Sequence, residues 1–223
     1  MSIKYELTDE TKNINGITLH RIRALRDIPS VGVKSGDLGG WIKEEYNLCQ
    51  YGDAWVYGDA EVYDNARVFG DARVFGDARV CGNARVYGNA LVCGDAEVYG
   101  YARVCGDARA YGYAWVFGDA RVYGNARVYS NARVCGGAEV CGDARVCGNA
   151  DYMTFKNSWS SGRWFTYTRS NKMWKVGCFY GSGDELIKKA YADSELSGKC
   201  YEAIVRAVET IEAAKAEAKG GAR

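Results

Sequence analysis

From Gly52 to Ala150 the chain repeats every six residues, as Gly, Asp or Asn, Ala, a variable residue, Val, then Tyr, Phe or Cys. Seventeen successive copies keep the alanine, from Ala54 to Ala150, and valine follows two residues later in fifteen of sixteen slots, Ala110 being the exception. Side chains alternate across an extended segment, so Ala and Val share one face and the variable and Tyr/Phe/Cys residues share the other. Segments this short, with no hairpin residues between them, cannot make a flat sheet. A coil that turns a corner at each Gly-Asp or Gly-Asn can, because these residues tolerate positive φ and bond back to the turn backbone. A short fixed period of this kind predicts a solenoid whose coils stack through the backbone around a one-dimensional core of Val and Ala. The repeat also accounts for the 28 glycines against a single proline, Pro29.

Composition then excludes whole classes of function. A formal net charge of +1 rules out a surface coated all round in positive charge for nucleic acid, leaving only a local patch. One histidine, His20, excludes a tri-histidine metal centre. Asp59, Asp77 and Asp95 form an acidic column, which turn bonding explains without a metal. The nine cysteines lack a C-x-x-C pair and read as reduced thiols, and none of the six in the repeat lies eighteen residues from another. Met1 to His20 carries charges in place of an apolar signal core, and no run of eighteen apolar residues occurs, so an intracellular protein with no membrane partner is expected.

The array resembles the hexapeptide-repeat family, which folds as a left-handed parallel β-helix; Val56 and Ala60 match its aliphatic and small inward positions. The resemblance supplies the handedness and the three hexads per 18-residue coil; at a ~4.8 Å strand spacing the stack is then about 27 Å tall. Gly39-Gly40-Trp41-Ile42 through Gly52-Asp53-Ala54-Trp55-Val56-Tyr57 further resembles the helix entry of YdcK-like proteins, a bacterial and phage group that carries an acyltransferase label. That likeness covers roughly residues 1–150, and the C-terminal part is similar to tails of phage proteins in the same group. The expected fold is mainly β: a left-handed parallel β-helix (hexapeptide-repeat solenoid) with a β N-terminal cap and a small α+β C-terminal tail.

The boundaries follow the composition. Residues 1–50 form the cap, with strands over Ile3–Thr8 and Gly16–Leu25, an Asn15-Gly16 turn, and Trp41, Leu38 and Ile42 plugging the open coil end. Residues 51–151 form the β-helix. Residues 152–223 form a three-stranded sheet, from candidates Asp151–Lys156, Arg163–Arg169 and Met173–Tyr180, plus helices over Asp184–Ala192 and Cys200 to about Ala218.

With eighteen residues per coil the outward positions sort into columns. One reads Arg67, Arg85, Arg103, Arg121, Glu139; a second Trp55, Arg73, Leu91, Arg109, Arg127, Arg145; a third Glu61, Arg79, Glu97, Trp115, Arg133. Arginines ~5 Å apart repel by up to about 1 kcal/mol per neighbour in water-like dielectric. The first column is therefore either a solvated face lying over the adjacent rings and relieved by residues such as Asp71 and Asp107, or a docking face for an anionic or protein partner. The tail interleaves basic and flat side chains, among them Arg163, Trp164, Tyr167, Arg169, Lys172, Trp174 and Lys175. These suit phosphate contact with base stacking, unless the rings form the core under the helices.

The acyltransferase family implies acetyl-CoA and a histidine base within the solenoid. Here the array from Gly52 to Ala150 holds neither a histidine nor an inserted loop. No catalytic residue, cofactor or metal is therefore expected. The reading is a rigid non-catalytic binding or interaction protein, phage or prophage encoded by resemblance, acting in the cytoplasm of the bacterial host in a counter-defence role. Its partner is expected to be a protein or further copies of itself (dimer or trimer), with nucleotide or nucleic acid open to the basic aromatic tail. An acetyl-CoA-dependent acyltransferase and a bactofilin-like structural polymer are the alternatives.

Overall fold

The structure, a computed structural model, describes residues 3–220. Its centre is a three-sided parallel β-solenoid of about six coils. Strands of mostly two residues recur every six, and each pairs with the strand eighteen residues away: Arg67↔Arg85, Arg85↔Arg103 and Arg103↔Arg121 are in register, as are Trp55↔Arg73 and Glu61↔Arg79. The first face has six strands, from Trp55–Val56 to Arg145–Val146. The third has five, from Arg67–Val68 to Glu139–Val140. The second joins the N-terminal strands in an eight-stranded sheet.

Every valine of the repeat from Val56 to Val146 is fully buried, as are Ala110 and the alanines from Ala54 to Ala144. Burying each valine contributes roughly 1.5–3 kcal/mol. Between coils, the outward residues donate their N–H groups to inward carbonyls of the next coil, as Arg67 N to Ala84 O at 2.9 Å and Phe69 N to Val86 O at 3.1 Å. The corners are tight: a Cβ on Gly88, at φ +69°, would lie 3.0 Å from the Gly106 nitrogen one coil on. The seventeenth alanine departs from the pattern, for Ala150 is exposed in a 3-10 turn over Asn149–Asp151.

The N-terminal segment supplies the coil beneath the first. Strand β1 (Tyr5–Ile14) and β2 (Ile17–Ala24) form a hairpin through Asn15-Gly16, both at positive φ. Strand β3 (Leu38–Ile42) lies antiparallel to β2 and parallel to Glu61–Val62, so Ile42 stacks below Val62. Glycine is required where β3 crosses the coil: a Cβ on Gly40 would lie 2.6 Å from Val56 Cγ1 and 2.7 Å from the Ala60 carbonyl oxygen. Trp41 and Ile42 are buried as the end plug demands, but Leu38 is 51% exposed, because it lies at the outer end of β3.

After the solenoid comes a four-stranded antiparallel sheet: Tyr152–Lys156, Trp164–Thr168, Met173–Val176 and Phe179–Gly181. The expected third strand is in fact two, because Gly177, at φ +54°, starts a two-residue turn that pairs Val176 with Phe179. Helix α1 (Gly183–Asp193) and α2 (Glu195–Gly220) pack on this sheet around Phe165, Leu186, Val205 and Val208. Helix α2 starts five residues before the sequence predicts. Gly198, which discourages an earlier start, is needed inside the helix: its missing Cβ would meet the Tyr191 ring of α1 at 2.2 Å. Among the described residues no helix is long and apolar enough to cross a membrane.

Both ends of the solenoid are chemically closed. At the first coil the carbonyls of Ala60, Val62 and Val68 accept from the N–H groups of Trp41, Lys43 and Cys49, that of Ala66 from Asn47 Nδ2, and that of Ala54 from Lys4 Nζ at 2.8 Å. At the last coil the upward N–H groups of Arg133, Glu139 and Arg145 donate to Asn149 Oδ1, Thr166 Oγ1 and Ser170 Oγ at 2.8, 2.9 and 2.7 Å.

Candidate functional site

The third face carries the arginine column, and pairing in register fixes its geometry: Arg67, Arg85, Arg103 and Arg121 project from neighbouring strands, with Glu139 above. Their repulsion is relieved unevenly. Arg67 lies 4.6 Å over the Tyr46 ring and 5.7 Å from that of Phe69, and Arg121 Nη1 reaches a Glu139 carboxylate oxygen at 3.7 Å. Arg85 and Arg103 meet no carboxylate among the described residues. Asp107, one of the turn acids expected to help, instead accepts from Asn89 Nδ2 at 2.9 Å. The column thus lies over rings at its lower end and presents free guanidinium charge at its centre.

Beside the arginines runs the column Phe69, Tyr87, Cys105, Tyr123, Cys141, in which the Phe69 and Tyr87 rings stack at 4.8 Å and 3°. Above it the turn after Met173–Val176 overhangs the face. Lys175, Gly177 and Cys178 close one side of a cleft of about 470 Å³, lined on the solenoid by Tyr87, Arg103, Cys105, Arg121, Tyr123 and Glu139. Lys175 Nζ is 3.7 Å from Glu139 and donates to the Gly177 carbonyl, while the Tyr123 hydroxyl donates to Glu139 Oε2 at 3.1 Å. Three cations and one carboxylate, itself engaged three ways, leave the cleft net positive.

Burial pushes the thiols of Cys81, Cys93 and Cys141 above the ordinary range, and burial first, then bonding to Cys141, pushes the Tyr123 phenol up as well. Thiols so shifted stay protonated at neutral pH and are poor nucleophiles. His20 lies on β2, its Nδ1 3.3 Å from the Thr8 carbonyl, and no histidine stands in the solenoid. Among the described residues no cluster of three or more His, Cys, Asp or Glu side chains could hold a metal ion.

The basic and aromatic residues of the tail do not assemble into one surface. Tyr167 and Trp174 are buried in the core under the helices, their rings 5.1 Å apart, so neither has a face for a base. Trp164 lies on the solenoid: a Cβ on Gly137 would come within 2.1 Å of its ring. Arg169 makes a two-pronged pair with Glu212, both contacts at 2.6 Å, and donates to the Ala150 carbonyl. Lys172, at φ +55°, is a turn residue. Arg163 borders a separate pocket of about 200 Å³ floored by Val176, Phe179, Leu186 and Ala190. Of this group only Lys175 meets the arginine column.

Residues that sequence reasoning left out are Tyr87, Cys105, Tyr123 and the Gly177-Cys178 turn. The first three were visible as one ring-and-thiol column; the turn comes from a part of the chain with no repeat.

The family model described as YdcK Beta solenoid repeat matches residues 66–82, 78–94 and 120–136, all within the stacked coils. No curated protein matches the chain. Together with the parallel coils in which those stretches lie, the matches make this chain a YdcK-like β-solenoid repeat protein.

Proposed function

We propose that the chain is a rigid, non-catalytic binding protein whose third face docks an acidic protein surface. The observation that carries this reading is the row of in-register arginines in which Arg85 and Arg103 hold no internal carboxylate. A preformed row of cations needs little ordering on association, so the interaction energy is not spent on fixing flexible chains. Charge complementarity of this kind speeds encounter and makes binding salt-dependent. Against acyl transfer stand the missing solenoid histidine and the raised thiols; against filament growth stand the closed ends. The phage or prophage setting, the bacterial cytoplasm and the counter-defence role belong to the same proposal and rest on resemblance alone.

The test is recovery of the native partner by wild-type protein and by a variant with Arg67, Arg85, Arg103 and Arg121 changed to Glu. Loss of an acidic partner from the variant, with wild-type capture weakening as salt rises, is the expected result. Equal recovery by the two proteins would remove the arginine face from the account.

A further inference from the structure

The ring columns are interrupted once on each face by a cysteine between two aromatic residues: Cys93 between Phe75 and Tyr111, Cys81 between Tyr63 and Tyr99, Cys105 between Tyr87 and Tyr123. Where no cysteine intervenes, three ring pairs eighteen residues apart stack at 4.8, 5.0 and 5.2 Å, Phe69–Tyr87, Tyr99–Phe117 and Tyr111–Tyr129, while Tyr57 and Phe75 meet edge-on at 6.3 Å. A cysteine in the column therefore leaves a gap one ring wide. The bounding rings stand two coils apart, about 10 Å at the ~4.8 Å strand spacing, and a planar ring placed midway would lie about 5 Å from each, within stacking range.

The three gaps differ in what surrounds them. At Cys81 the neighbouring cation is already paired, since Arg79 bridges Glu61 and Glu97, whereas the thiols of Cys81 and Cys105 are alike in bonding a column tyrosine, Tyr63 and Tyr87. Cys93 has Leu91 at its side, with Arg73 and Arg109 on the strands below and above. Only the Cys105 gap opens into the cleft of about 470 Å³ described above, with Arg103 and Arg121 along one side and Lys175 at the overhang. That volume is in the range of small-ligand sites. Arg103 is the cation there without a carboxylate, while Arg121 and Lys175 share Glu139.

We infer that the Cys105 gap is a binding site for a planar aromatic ligand carrying phosphate, of the nucleoside monophosphate class, with its ring between Tyr87 and Tyr123 and its phosphate on Arg103. Arg121 and Lys175 add charge at the mouth. Glu139, held by the Tyr123 hydroxyl and two cations, is placed to accept a hydrogen bond from an exocyclic amine or a sugar hydroxyl. The inference rests on the same arginine face as the docking reading, but uses its upper part, whereas Arg67 and Arg85 lie below the cleft.

Adenosine and guanosine 5′-monophosphate, adenosine, and inorganic phosphate are titrated calorimetrically into wild type, Cys105→Phe, Cys93→Phe and the pair Arg67→Ala/Arg85→Ala. Phe is a residue the repeat itself carries in these columns, at Phe69 and Phe75, so filling either gap suits the fold. A monophosphate should bind with Kd below about 1 mM, adenosine and phosphate each at least about tenfold more weakly, and Cys105→Phe should cost about tenfold or more while Cys93→Phe changes little. The Arg67/Arg85 pair should keep monophosphate affinity while losing the acidic partner, which separates this site from the docking surface. Absence of saturable monophosphate binding, equal affinity in Cys105→Phe, or phosphate alone binding as tightly as the nucleotide would overturn the inference.

Discussion

Lys4 shows how much one side chain carries at the start of the stack. Its ammonium is fully buried and donates to the Ala54 carbonyl at the lower edge of the first face. Burial lowers its pKa to about 8, with Asp53 and Asp71 opposing the shift and Arg26 adding to it. The unfolded chain holds that proton up to about pH 10.4, so between about 8 and 10.4 the unfolded state binds more protons and stability rises with pH. Below about 8 both states are charged and the penalty is constant. Lys4→Met removes the titration, so the stability of wild type relative to the variant should grow by on the order of 2 kcal/mol between pH 8 and 10. Urea unfolding at several pH values measures this, and parallel curves for the two proteins would show that Lys4 does not titrate with folding. Tyr5 and Tyr63 shift upward, chiefly through burial, and act oppositely above about pH 10, which is why the difference between the proteins, not the raw curve, is diagnostic.

At the scale of elements the last coil depends on partners from outside the repeat. Thr166 is 1% exposed, and its hydroxyl takes the N–H of Glu139. Thr166→Val keeps the shape and leaves that donor unpaired, which should cost about 1–3 kcal/mol in denaturant unfolding. A cost within about 0.3 kcal/mol would mean that the donor finds another acceptor. Pairings of this kind explain what the sequence disclosed and what it did not. The solenoid strands were legible because they are fixed by a period of six, which is local, whereas their register and the column membership followed only from the three-hexad coil that the family resemblance implies. The partners of Glu139, Arg145 and Ala54 were not, since Thr166, Ser170 and Lys4 reach them across 27, 25 and 50 residues. The tail rings were misleading for a related reason: Tyr167 and Trp174 look like a base-stacking platform until α1 and α2 cover them. The Gly177 break and the early start of α2 turn on single glycines whose roles are set by tertiary neighbours.

The whole molecule is a three-sided prism closed below by the N-terminal strands and above by the four-stranded sheet, and the cleft exists because the Gly177-Cys178 turn of that sheet overhangs the third face. An open coil end would present a row of free backbone groups, an invitation to end-on association. Removal of residues 152–220 should therefore give self-association, read as a rise in mass with concentration by light scattering, while the full chain keeps a constant mass over the same range. A truncated chain with constant mass would mean that the last coil closes itself. The central claim is the three-hexad coil, since it alone puts Arg67, Arg85, Arg103 and Arg121 on one face and Cys105 between Tyr87 and Tyr123. Pulsed electron spin resonance between nitroxide-bearing unnatural residues at positions 67 and 139 tests it most directly. Four coils separate these positions, so the distance should centre near 19 Å, at about 4.8 Å per coil; a centre near 29 Å, the value for two hexads per coil, would contradict the account.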